Sequence, residues 1–192
     1  MASIHTGQRL LTWADYLRLP DDGQRHEVIN GVHHVSPAPQ PGHQRSVVRI
    51  STRIEQWIEA SGDDGLVFVS PIDVILQELP DRVTTVQPDV VYLRGIKRSL
   101  VTDRGIEGAP DLVIETLSPR TSAWDLGEKR SLYERCTIPE YWIVDRDART
   151  VLQLRLDGAF YREVGRFGVG DTVSTPLLPG FELSVDDATL RV

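Results

Sequence analysis

Three carboxylates in this 192-residue chain sit where carboxylates are costly. Glu27 lies in the run HEVIN, Asp89 between apolar residues in VQPDVVYL, and Glu115 in the middle of DLVIETL. Each run reads as a β-strand, and a carboxylate packed into a strand needs a partner to offset its lost hydration. Taken singly, each reads as an edge position, a turn or an ion pair with an arginine. Taken together, acids from separate strands of one sheet make the oxygen-ligand set that Mg2+ or Mn2+ binds, with waters and phosphate oxygens completing the shell. Asp73 in PIDVIL is a further strand carboxylate and a substitute ligand. Gln87, two residues ahead of Asp89, is expected on the same strand face.

Lys129 supplies the complementary charge. Asp125, Lys129 and Tyr133 recur at four-residue spacing and share one face of a helix that follows the Glu115 strand. An ammonium there binds a phosphate oxygen or orients a water as a compact point charge. Read alone, Asp125 and Lys129 are an exposed helix pair worth about 0.3 kcal/mol. Of the 21 basic residues, 19 are arginine and only Lys97 and Lys129 are lysine. Under that bias a retained lysine raises the question whether a planar guanidinium would fail in its place. Lys97, in the loop LRGIKRSL, has no such argument.

Other chemistries find no support. One cysteine, Cys136, forbids an intramolecular disulfide and a thiolate zinc site. His26, His33 and His34 are too closely spaced on an extended hairpin to ligate one metal, since alternation sends His33 and His34 to opposite faces. Ser70 and Ser118 lack a motif-set His/Asp partner. The stretch GRFGVGD has Val173 where a dinucleotide fingerprint needs its third glycine. The net charge of −7 opposes a global attraction to polyanions but leaves room for a local basic groove. No apolar run approaches the length of a membrane span or signal core, so the expected location is the cytoplasm.

The elements that must position these residues follow from local patterns. Thr12 and Asp15 resemble a capping box, with a short helix over 13–19 closed by Pro20. Asn30-Gly31 between two apolar-alternating runs signals a hairpin. Val47, Ile50, Ile54, Trp57 and Ile58 mark one face of a long helix ending at Gly62. Strands are expected at 65–70, 71–77, 84–93 and 110–117, the last two with continuous apolar runs typical of a sheet centre. A second helix over 121–136, capped by Thr121 or Ser118, leads into the strand EYWIVD. TVLQLRLDGAFYREV reads as a hairpin around Asp157-Gly158. With no repeat, linker or low-complexity tract, residues 1–192 read as one α/β domain, a mixed β-sheet flanked by helices with additional β-hairpins.

The strings VQPDVV, DLVIETLSP, DLGEKRSLYERCTIPEYWIVD and HEVINGVHHVSPAPQPGHQ together resemble the Uma-two family of "putative restriction endonucleases", within the PD-(D/E)XK nuclease superfamily. The likeness runs from about Thr12 to LLPGFEL. It implies a restriction-endonuclease-like fold, with Pro88-Asp89 opening the superfamily motif, Glu115 as its second acid and Glu27 as an additional acid upstream. The lysine of that motif, due two residues after Glu115, is replaced by Leu117, and the resemblance implies that Lys129 supplies it from the next helix. Asn30 and Val32 also depart from the aspartate and glutamate common in relatives. His43, in PGHQR, matches a recurring family position and is a candidate cleft residue, as is Tyr133.

The implied activity is Mg2+- or Mn2+-dependent hydrolysis of phosphodiester bonds in DNA, with Asp89, Glu115 and Glu27 as metal ligands and Lys129 positioning water or phosphate. A homodimer is implied by the superfamily's habit of pairing subunits to cut both strands. The alternative is a weak or inactive nuclease-fold module that binds nucleic acid or a partner protein. The complete set of Glu27, Asp89, Glu115 and Lys129 favours the enzyme, whereas Leu117 and the acidic net charge favour the alternative.

Overall fold

The computed structural model describes residues 9–36, 38–118 and 124–190. Thr12 and Asp15 form the reciprocal capping box of α1 (Trp13–Tyr16), which ends three residues short of the expected segment as the backbone turns ahead of Pro20. β1 (Arg25–Ile29) and β2 (Val32–Ser36) pair along their whole length around Asn30 and Gly31, both at positive φ (51° and 80°), as a two-residue hairpin loop requires. α2 (Pro41–Ser61) begins with proline in its first turn and ends on Gly62 in the left-handed region. It buries Val47, Ile50 and Ile54.

β3 (Leu66–Val69), β4 (Val74–Leu79), β5 (Arg82–Val86) and β6 (Val90–Leu93) follow. The segment expected as one strand over 84–93 is therefore two. Pro88 has no N–H to give to a ladder. The Gln87 N–H goes to the Glu27 carboxylate and the Gln87 carbonyl accepts from Arg25, so pairing stops there. The chain crosses at this point from one sheet to another. A 3-10 turn at Gly95–Leu100 and the very short β7 (Val101–Thr102) and β8 (Gly105–Glu107) then lead to β9 (Leu112–Thr116).

The next helix is not regular. Its first part, Asp125–Lys129, is a π-helical turn, and only Arg130–Arg135 is α-helical (α3). The proposed cap Thr121 lies outside the described residues. β10 (Glu140–Asp145), the hairpin of β11 (Thr150–Asp157) and β12 (Phe160–Phe167), β13 (Thr172–Thr175), β14 (Leu178–Ser184) and α4 (Val185–Ala188) complete the chain.

The strands form two six-stranded sheets, β2-β1-β5-β4-β8-β7 and β12-β11-β10-β9-β6-β3, plus the β13-β14 pair. β9 and β10 run parallel, and the helical segment between them makes the crossover that parallel pairing needs. Alternation along β9 and β6 separates two cores. Leu112, Ile114, Val90 and Tyr92 pack with α2, while Val113, Val91 and Leu93 pack with Val74 and Val86 of the first sheet and with Tyr133. Asp89 and Glu115 lie on the second of these faces, between the sheets.

Two other buried carboxylates are structural. Glu140 accepts from the Trp142 indole, Gln153, Arg155 and Thr175, tying β10, β11 and β13 together. Asp111 accepts from the Arg94 backbone and guanidinium and pairs with Lys97 at 3.2 Å.

Candidate active site

The β6–β9 ladder pairs Val90 with Ile114 in antiparallel register, so one step further Asp89 and Glu115 stand opposite each other at the end of the sheet. β1 contributes Arg25 and Glu27, which share a face two residues apart. The helical crossover contributes Asp125 and Lys129. These side chains converge on a cleft of about 270 Å3 whose walls also carry His43, Trp124 and Arg146.

Lys129 is at the centre. Its ammonium donates to Glu115 Oε1 at 2.8 Å, lies 2.9 Å from Glu27 Oε1 and stands 3.9 Å from Asp125 Oδ1. Glu27, Glu115, Asp125 and Lys129 are each only 3 % exposed, so this is no solvated helix pair. Tyr133, one helical turn on and fully buried, donates its hydroxyl to Glu115 Oε1 at 2.9 Å from beneath the cleft. The π-helical turn keeps Asp125, Lys129 and Tyr133 on one buried face, and such turns recur at functional sites.

Asp89 is held by a different set. Arg25 donates to Oδ1 at 2.7 Å, while His43 Nε2 and the Thr116 N–H reach Oδ2 at 2.8 Å each. His43 Nε2 donates to this carboxylate, and its Nδ1 is buried with no partner among the described residues. Glu27 is fixed by the Gln87 N–H at 2.7 Å. The residue at which the chain changes sheets thus orients a carboxylate of the cleft through its backbone.

These environments drive the acids apart. Burial, reinforced by the charges of Asp89, Asp125 and Glu27 against the opposing Lys129, pushes the Glu115 carboxyl up to about 8. Burial works on Asp89 in the same direction, but the His43 hydrogen bond, the His43 and Arg25 charges and the Thr116 N–H outweigh it and hold Asp89 below its ordinary value. Burial also disfavours the Lys129 cation, yet Glu115, Glu27 and Asp125 more than compensate and keep it protonated. One carboxylate is held ionised and its neighbour avid for a positive charge.

The structure brings Glu27, Asp89, Glu115, Lys129 and His43 into one cleft and sets Tyr133 against its floor. Asp73 and the Gln87 side chain lie elsewhere. Asp73 accepts from the Tyr16 hydroxyl at 2.5 Å and from Gln87 Nε2 at 2.9 Å, a closed network away from the cleft. The expected common face of Gln87 and Asp89 fails because the strand breaks between them. His33 and His34 do diverge: His33 Nε2 meets His26 Nδ1 at 2.9 Å, while His34 packs on Trp124 with ring centroids 4.0 Å apart.

Arg25, Trp124 and Arg146 are cleft residues that the sequence reading did not single out. Arg25 left a signal, its two-residue spacing from Glu27 on an alternating strand. Asp125 was read only as a helix partner of Lys129. Arg146, just past the end of β10, left none.

No curated protein matches the chain. Among solved structures, it is similar to a "putative nuclease belonging to DUF820" from Anabaena variabilis ATCC 29413, with a TM-score of 0.74 and 21 % identity over 93 % of this chain and 97 % of that one. At that identity the likeness establishes the fold. The model of the family described as "Uma2: Putative restriction endonuclease" matches residues 13–186, nearly the whole chain. The chain belongs to that family of restriction-endonuclease-like proteins.

Proposed function

We propose that the cleft is the centre of a Mg2+- or Mn2+-dependent endonuclease that hydrolyses phosphodiester bonds in DNA. The observation that carries this reading is the convergence on one cleft of Glu27 and Glu115, from strands of the two sheets, of Asp89, directly ahead of β6, and of Lys129, whose ammonium lies against Glu27 and Glu115.

Among the described residues, no three His, Cys, Asp or Glu side chains are already drawn around one point as metal ligands. Lys129 occupies the space between Glu27 and Glu115, and Arg25 and His43 hold both oxygens of Asp89. The donor chemistry still fits a hard cation. The cleft offers carboxylate oxygens of Glu27, Asp89 and Glu115, the hard donors that such a cation takes. Asp89 and Glu115, with Glu27, would hold the ion. When bound, such an ion acidifies a water and stabilises charge on the phosphoryl oxygens.

The chain's own residues do the rest. Lys129, held cationic by three acids, places a compact positive charge where a phosphate oxygen enters. Arg25 and His43 keep Asp89 ionised and fix its orientation, and Tyr133 locks Glu115 from below. Leu117, two residues after Glu115, lines the cleft without a charge, which leaves the cationic role to Lys129.

The test is incubation of supercoiled plasmid with purified protein in Mg2+, in Mn2+ and in chelator. Nicked or linear DNA in either metal, absent in chelator, is the expected outcome. Plasmid left intact under all conditions would overturn the enzyme, and DNA binding without cleavage would favour the nuclease-fold binding module.

A further inference from the structure

The cleft does not end at Asp89. Arg25 and Pro39 line both the cleft and a second concavity of about 390 Å3, and Gln44 joins that concavity to a third of about 540 Å3 along α2. The three adjoin through these shared residues. The outermost is lined by Arg45, Arg49 and Arg53, which recur every four residues and so share one face of the helix. At 1.5 Å rise per residue their backbone positions span about 12 Å, the axial length of three to four base pairs at about 3.4 Å each. His43, in the first turn of the same helix, bonds Asp89 directly, so the stripe and the cleft share one rigid element.

The stripe is basic on a chain whose net charge is −7. Asp187 pairs with Arg49 at 2.7 Å, and Arg53 donates to the Glu182 carbonyl. Arg45 is exposed and makes no ion pair among the described residues. Val48 lies between them 59 % exposed. Three guanidinium groups at one-turn spacing suit successive phosphates of a nucleic-acid backbone, which they bind without reading bases.

We infer that this face of α2 holds the phosphate backbone of duplex DNA beside the cut site, extending the substrate contact well beyond the cleft. The inference rests on the nuclease reading of the cleft and adds the reach of the substrate contact beyond it.

It is tested by binding a labelled duplex of about 20 base pairs in chelator, over about 50 to 200 mM salt. Arg45→Gln is expected to lower the slope of log affinity against log salt by about 0.9, and Arg45→Gln/Arg49→Gln/Arg53→Gln by about 2 to 3 with at least tenfold weaker binding. Arg45→Gln surrenders no ion pair among the described residues, so it serves if the triple variant is unstable. Wild-type slopes in both variants overturn the inference, as does a slope change seen only on an RNA duplex. Plasmid cleavage retained with unchanged slopes removes the stripe and leaves the cleft reading standing. Slopes that fall as expected in a protein that cuts nothing support the stripe and remove the catalytic reading.

Discussion

Lys129→Met is expected to slow plasmid cleavage by about 10²- to 10⁴-fold, the range lost when a positioned proton-transfer or charge-stabilising group is removed. Metal affinity should change far less, because no ligand oxygen is lost, and calorimetric titration with Mn2+ separates the two effects. The variant should also be less stable. Removing one partner from a buried charge cluster typically costs about 3–5 kcal/mol, or roughly 10 °C of Tm in a chain of this size. Glu115 relieves part of that cost by taking up a proton, so the Tm deficit should be smaller at about pH 6 than at about pH 8. Lys129→Arg should restore charge but little activity, since the larger planar guanidinium spreads its charge and must be housed in a space where Lys129 is 3 % exposed. An unchanged cleavage rate in Lys129→Met would remove this residue from the mechanism.

The second large effect concerns pH and stability in the metal-free protein. Glu115 binds its proton more tightly in the folded chain, up to about 8, than in the unfolded chain at its ordinary 4.5. Across that window the native state holds more protons than the unfolded state, so stability is greatest below the window and falls as pH rises through it, by up to several kcal/mol. Asp89 works in the opposite sense and in a different range. Its depressed value adds stability above about 3.8 that is lost as pH falls. Melting curves in chelator from about pH 5 to about pH 8 should show a steady decline in Tm for the wild type. Glu115→Gln, which cannot ionise, should flatten it. The same slope in both proteins would show that Glu115 is ionised throughout.

Much of this site was legible because local rules agree with tertiary ones at its anchoring elements. Asn30-Gly31 has one favoured way to join two alternating strands, and that turn sets the register of β1 and thereby aims Glu27. Continuous apolar runs placed β6 and β9 in the interior of a sheet, and both are buried there. The crossing at Gln87-Pro88 was not legible. Pro88 allows a strand to stop, but only the neighbouring Glu27 and Arg25 show where the freed backbone groups go. Asp73 and Asp89 look alike in sequence, each a carboxylate among apolar strand residues. One meets a tyrosine and a glutamine, the other an arginine and a histidine, and no period distinguishes them. β7 and β8, two and three residues long, are too short to carry a period at all. The π-helical turn is hidden for a related reason, since four-residue spacing reads as an ordinary helix.

The scarcity of lysine also has a physical sequel. Lys97 donates to the Ala109 carbonyl at 2.9 Å and reaches Asp111, a structural anchor for the loop after β6. Lys129 sits among the acids of the cleft. Both retained lysines thus place a compact ammonium against buried carboxylate.

The most direct test of the central claim is the cleavage rate of Asp89→Ala on plasmid DNA at saturating Mn2+, beside wild-type protein purified identically. Loss of the Arg25- and His43-held carboxylate should reduce cutting at least about 10³-fold while the protein still melts cooperatively. Cutting at the wild-type rate would contradict the account, because it would place the chemistry outside the cleft formed by Glu27, Asp89, Glu115 and Lys129.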